Sequence, residues 1–288
     1  MACLLLTFSS GAEEEILGSR YSGPGIQEIS FLTESDHIQP GSRITIGLVI
    51  TPEDGHHTYW KGPGIVGVPT VIEWDLPDGF EAGPIQWPAP EKVDMVGITA
   101  NGYKGSVTLL TEIKVPKDLP RGAFHLHAKV AWMLCSTTCN PGMWRSSLQF
   151  LHNPDIELES NSSVRLLFAS VRKDIPKPAP ESWTTSVSLP DEETVSLKIS
   201  VPEIDQSWVD DLEFFCDDMQ VDSNEATLIT WFEKEAGEFQ LQFTRPDFAP
   251  RNPELFSGVL KSSKKWPGTN SQFVEISVPW PEGTFRDE

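Results

Sequence analysis

Positive charge is scarce in this chain. Its 288 residues hold 22 Lys and Arg against 42 Asp and Glu, a net charge of −20. A protein this acidic offers no footprint for nucleic acid or an anionic membrane surface. The acid is not gathered in a tail. Residues 1–155 hold 17 acidic side chains and the remainder 25, so a solvated surface accounts for it. Cysteine is scarce too, and four are too few for a disulfide-dense scaffold. No stretch approaches the ~18 apolar residues of a membrane-spanning helix. A phosphate-binding glycine loop, a nucleophile-elbow serine and a His-Glu-x-x-His pair are all missing, so nucleotide and hydrolase chemistry have no support.

What is abundant points to strands. With 24 Pro, 21 Gly and 10% aromatics, and few long helical patterns, short strands joined by turns fit the chain. Runs 26–32, 43–50, 57–61, 70–74, 107–115, 124–134 and 144–151 are predicted strands, separated by Pro-Gly and Pro-Asp-Gly clusters. A second series occupies 183–189, 194–201, 212–215, 227–232, 239–243, 257–260 and 272–278. The expected class is all-β, two immunoglobulin-like antiparallel β-sandwiches in tandem. They span 25–155 and 182–288, joined by a Pro-rich linker at 156–181 in which 161–172 is a short helix or a strand. Residues 1–24 read as a signal-like remnant and disordered terminus. The apolar start gives way to small residues with cleavage expected near Ala12, and three glutamates follow at 13–15.

The most informative pair is Cys135 and Cys139. In the strand before them Phe124, Leu126, Ala128, Val130, Trp132 and Leu134 form an apolar face. His125, His127, Lys129, Ala131, Met133 and Cys135 form the other, which places Cys135 on the wetter side. Two cysteines flanking a tight turn lie within disulfide reach across an antiparallel pair. So short a loop contributes only ~2 kcal/mol in the chain-entropy account, and a chain of this length can bury enough apolar surface without it. Thiol–disulfide exchange, a structural bridge and a metal site are the three readings of the pair. No Lys, Arg or His adjoins either thiol in sequence, and attacker and resolver are not distinguished.

Other residues give weaker signals. Met133 and Met143 bracket the cysteines, and the soft set Cys135, Cys139, Met133 and Met143 suits Cu(I), so copper is the alternative cofactor where the main reading expects none. His56-His57 and His125/His127 read as solvated strand positions, and Cys216 as a small buried apolar residue. Asn161-Ser-Ser matches a glycosylation sequon that is common by chance.

The runs YWKGPG at 59–64, EWDLPDGFEAGPIQWPAP at 73–90 and GYKGSVTLL at 102–110, followed by Cys-x3-Cys, are distinctive. Together they resemble the periplasmic amino-terminal domain of DsbD-type membrane thiol:disulfide interchange proteins, in particular the copper-sensitivity-suppressor branch. The resemblance covers about residues 25–155, and the second half would match that branch's additional immunoglobulin-like domain. It implies that Cys135 and Cys139 are the redox pair. They would take electrons from a thioredoxin-like or transmembrane interchange protein and reduce disulfide-containing substrate proteins in the periplasm. It also implies that an aromatic loop shields the pair. Residues 94–105 occupy that place, with Tyr103 as the cap and Tyr59 as its neighbour. The transmembrane and thioredoxin-like segments of longer family members do not appear in this sequence, so the electron source is expected on another chain. The expected location is periplasmic or secreted.

Overall fold

The computed structural model describes residues 20–156, 161–232, 237–251 and 253–281. The signal-like start, with Ala12 and Cys3, lies outside the described residues. In the first sandwich the strands are β1 (Arg20–Gly23), β2 (Ile26–Thr33), β3 (Arg43–Pro52), β4 (His57–Tyr59), β5 (Val71–Asp75) and β6 (Glu81–Gln86). They continue as β7 (Glu91–Met95), β8 (Ile98–Tyr103), β9 (Val107–Lys114), β10 (Gly122–Cys135) and β11 (Cys139–His152). One sheet runs β1-β2-β3-β9-β6 and the other β11-β10-β4-β8-β7, with β5 beside the middle of β10. The alternation read from the sequence decides what is dry. Ile29, Leu48, Ile50 and Leu109 of one sheet meet Leu126, Val130, Leu134 and Phe150 of the other, all buried.

The segment expected as helix or strand is helix α1 (Ser162–Asp174). Asn161 caps it, its Oδ1 accepting from the backbone N–H of Ser163 and Val164 at 3.1 and 3.2 Å. Arg172 and Lys173 sit in the last turn, where the helix dipole favours cations. Val164, Phe168 and Val171 pack on Leu110 and Leu32, on the outer face of the first sheet. Gly47 permits this docking, because a Cβ there would lie 2.5 Å from the Phe168 ring. Much of the expected linker therefore belongs to the first sandwich.

Beyond α1, β12 (Lys177–Pro178) adds a short parallel edge to the second sandwich. Its other strands are β13 (Thr184–Asp191), β14 (Thr194–Ser200), β15 (Glu213–Cys216), β16 (Leu228–Trp231), β17 (Glu238–Thr244), β18 (Leu255–Lys261) and β19 (Phe273–Pro279). Sheets β12-β19-β18-β15 and β13-β14-β17-β16 enclose a core with Leu197, Phe239, Leu241, Phe256, Trp266 and Ile276. The chain is thus all-β, two immunoglobulin-like sandwiches in tandem. Among the described residues, no helix is long and apolar enough to cross a membrane.

The sandwiches meet through specific contacts. The rings of Trp60 and Phe215 lie 6.4 Å apart, and Lys61 pairs with Asp217 at 2.9 Å. Thr99 of β8 is held at both backbone groups: its N–H donates to Asn224 Oδ1 at 2.9 Å, and its carbonyl accepts from Ser223 Oγ at 2.6 Å.

Candidate functional site

β10 and β11 form one long hairpin, in unbroken register from Gly122 opposite His152 to Cys135 opposite Cys139. The three-residue loop is closed by the Ser136 N–H donating to the Thr138 carbonyl at 3.0 Å. At its mouth Cys135 and Cys139 are joined by a disulfide, their Cα atoms 4.2 Å apart. Direct cross-strand opposition brings the two sulfurs together.

The outer face of β10 changes character along its length. His125 and His127 are exposed, Lys129, Ala131 and Met133 are half-buried, and Cys135 is 0% exposed. The expectation that Cys135 lies on the wetter face is corrected here. Tyr59 of β4, Val93 of β7 and Ala100 of β8 cover it, with Met95, Val66 and Met133 around them. Alternation along β10 cannot reveal a cover supplied by residues 35 or more positions away. Cys139, at the start of β11, is exposed. One cysteine is sealed and its partner is exposed.

Tyr59 belongs to the cover. Gly67, at φ +102°, lies against its ring so closely that a Cβ would sit 2.3 Å from it. Burial raises the Tyr59 phenol above its ordinary pKa. Tyr103, expected as the cap, is placed elsewhere. It stands opposite Thr58, which stands opposite Leu134, so these three share the core face while Cys135 takes the outer one. Tyr103 is buried in the main core, its hydroxyl donating to the Pro88 carbonyl at 2.7 Å, and burial drives its pKa well up. The segment expected as a loop at 94–105 is mostly the β7–β8 hairpin, turning at Val96 and Gly97, both at positive φ. It is the hairpin that Ser223 and Asn224 of the second sandwich hold.

The expectation that His56-His57 are solvated strand positions is corrected, since His56 is half-buried and His57 is buried. His57 stands directly opposite Cys135, 5% exposed, its ring edge-on to Tyr59 at 5.2 Å. Burial lowers its pKa, the neighbouring His56 lowers it further, and Asp94 opposes both. His57 Nε2, His56 Nδ1 and Tyr59 Oη are buried with no hydrogen-bond partner. His56 Nε2 lies 3.3 Å from Ser136 Oγ in the disulfide loop. The period of two in β4 puts His57 and Tyr59 on one face, but no local signal shows that this face meets the cysteines.

The soft-donor set is partly assembled. Met133 packs in the same cluster as Cys135, whereas Met143 stands opposite Ala131 and is 55% exposed. All four side chains share the outer face, since Cys139 and Met143 are four apart on β11. Cys216 is buried, its thiol donating to Asp218 Oδ1 at 3.2 Å. Burial, then the Asp218 charge, pushes its pKa well up, as for an unreactive thiol.

A strand-end disulfide with one sealed and one exposed cysteine, on an immunoglobulin-like sandwich, has the form of a thiol-exchange module. Residues 29–150 match the sequence model of the family described as thiol:disulfide interchange protein DsbD, N-terminal, so the resemblance read from the sequence is shown over the first sandwich. No curated protein matches the sequence. The fold is similar to that of the N-terminal periplasmic domain of ScsB from Proteus mirabilis, at TM-score 0.64 and 16% identity, covering 91% of this chain and 98% of that one. A conserved domain protein from Bacillus anthracis aligns over 91% of this chain and 89% of its own at 9% identity, and its TM-score of 0.27 carries no argument.

Proposed function

We propose that this protein relays electrons through the Cys135–Cys139 dithiol/disulfide. The donor is a thioredoxin-like or transmembrane thiol:disulfide interchange protein, and the acceptors are disulfide-containing proteins of the periplasm. The protein would then be the thiol:disulfide oxidoreductase component of a reducing pathway. The observation that carries this reading is the difference in exposure between the two cysteines.

The steps follow from that difference. A donor thiolate attacks Sγ of Cys139, the exposed cysteine. The Cys135–Cys139 bond breaks as the donor–Cys139 bond forms, and Cys135 leaves as thiolate and takes a proton. The donor's second thiolate then attacks its own sulfur in the mixed disulfide and releases Cys139 as thiolate. Two electrons have passed to the pair and the donor is left oxidised. Toward a substrate the order reverses: Cys139 attacks the substrate disulfide, and Cys135 closes on Cys139 to release a reduced substrate. The cover of Tyr59, Val93 and Ala100 keeps external disulfides from Cys135, so closure on Cys139 is its productive course.

Trapping tests this directly. Cys135→Ser is expected to accumulate a mixed disulfide at Cys139 when mixed with a thioredoxin-like protein in its disulfide form, read by non-reducing electrophoresis and peptide mass. Cys139→Ser is expected to trap little, because its remaining site thiol is sealed. Equal trapping by both variants contradicts the assignment of roles.

A second reading has one observation behind it. Met133 packs beside Cys135, so reduction would leave two thiolates and a thioether at one sheet end, donors that suit Cu(I). Competition of the reduced protein against a chromophoric Cu(I) chelator tests it. Retention of Cu(I) that is lost in Cys139→Ser and weakened in Met133→Leu favours it, and no retention dismisses it.

A further inference from the structure

Thiol exchange at this pair leaves one chemical problem unanswered. Cys135 is 0% exposed, yet it must lose a proton each time it closes on Cys139 and regain one each time it leaves. Water cannot serve freely at a site covered by Tyr59, Val93 and Ala100. A thiolate formed among apolar groups is costly unless a neighbour answers its charge.

The residue directly opposite Cys135 is His57. Opposed side chains on one sheet face have Cβ atoms ~4.5–5.5 Å apart, within reach of a thiol and an imidazole. His57 is itself sealed, and its Nε2 has no partner. Buried polar atoms are nearly always satisfied, so an orphan nitrogen beside a redox sulfur calls for an explanation. Tyr59, whose ring meets His57 edge-on, also has its buried hydroxyl unpaired. By contrast Asn101, buried two residues from Tyr103 on the same hairpin, donates to the Gly62 carbonyl at 2.8 Å.

We infer that His57 is the proton acceptor and donor for Cys135, an inference that rests on the exchange reading above. As Cys135 closes on the mixed disulfide, its S–H proton passes to the His57 imidazole and the Cys135 sulfur bonds to Cys139 Sγ. The bond from Cys139 to the substrate sulfur breaks, and the substrate leaves as thiolate. In the opposite direction the imidazolium returns the proton to the Cys135 thiolate. His57 is well suited to begin as base, because burial and His56 keep it neutral. The groups facing it are Cys135 from β10, Asp94 from β7, and His56 and Tyr59 from its own segment. The half-buried His56 lies 3.3 Å from Ser136 Oγ in the disulfide loop.

The test uses the full chain, reduced and mixed in stopped flow with dithiobis-nitrobenzoate. Attack by Cys139 releases the first thionitrobenzoate in a concentration-dependent phase. Closure by Cys135 releases the second in a concentration-independent phase. His57→Gln is expected to leave the first phase unchanged within about twofold and to slow the second about a hundredfold, the lower end of what a positioned base contributes. The pH profile of the second phase should also move up by about one unit, toward that of an unassisted buried thiol. A second phase in His57→Gln with wild-type rate and pH profile overturns the role of His57 while leaving exchange intact. Absence of both phases in the wild type overturns the exchange reading and this inference with it.

Should His57→Gln not fold, the Cys139→Ser chain retains Cys135 as the site thiol. There the Cys135 thiolate absorbance and the His57 imidazole proton resonance must titrate with a shared midpoint. Independent midpoints overturn the inference.

Discussion

The second sandwich buries Arg245 and Gln220 and answers both. Arg245 Nε donates to Gln220 Oε1 at 2.9 Å, its Nη2 donates to the carbonyls of Ala249 and Pro250, and Gln220 Nε2 donates to Pro250 O at 2.7 Å. The first sandwich buries His57 and Tyr59 beside its disulfide and leaves His57 Nε2 and Tyr59 Oη unanswered. Both sandwiches have dry cores of similar make-up. These two sites spend polar capacity differently. Around Arg245 and Gln220 it ties loops to strands. At the end of the β10–β11 hairpin two polar atoms stay unpaired near the disulfide. A satisfied polar network fixes structure, and an unsatisfied one next to a reactive atom marks chemistry.

The largest effect is expected from removing the exposed cysteine's sulfur. Cys139→Ser should abolish exchange with any dithiol partner, read as the absence of turnover in a coupled reductase assay, with the melting curve shifted by only ~2 kcal/mol or less. Next in size is the satisfied network. Arg245→Met should cost about 3 kcal/mol in urea denaturation, because Gln220 Oε1 and the carbonyls of Glu192, Ala249 and Pro250 each lose a donor. Gly47→Ala should cost about 1–3 kcal/mol, as its methyl group forces the Phe168 ring and α1 outward. Tyr59→Phe should be neutral or slightly stabilising, within about 1 kcal/mol, since no hydrogen bond is lost with the hydroxyl. If Tyr59→Phe proved as damaging as Arg245→Met, the contrast between the two networks would disappear.

The smallest effect is on stability against pH. The folded-state pKa of His57 is lowered from 6.5, so on acidification the unfolded chain takes the proton first. The contribution of His57 is therefore held above pH 6.5 and lost as the pH falls from 6.5 toward the folded value. Urea midpoints across that range should fall more steeply for the wild type than for His57→Gln.

Most strands were legible because period-two alternation and Pro-Gly turns are local signals. The hairpin of β7 and β8 was not. Its turn is Val96-Gly97, and a β-branched residue at φ +53° is a poor turn signal. Asn101-Gly102, the dipeptide that reads as a hairpin turn, lies inside β8, paired with Lys92 and Glu91. The family resemblance expects Tyr103 in a shielding loop, whereas strand parity sends it into the core. The cysteine pair was legible from its spacing. The burial of Cys135 and the approach of His57 were not, because β4 joins β10 across more than 70 residues of sequence.

Reduction equilibrium of the Cys135–Cys139 pair in glutathione or dithiol buffers, on metal-free protein, bears on all of this at once. The relay predicts full reversibility and a potential in the range of exchange-active pairs, roughly −120 to −270 mV. A pair that stays oxidised below ~−300 mV would be an inert structural bridge, and the assignment of the first sandwich as an electron relay would be wrong.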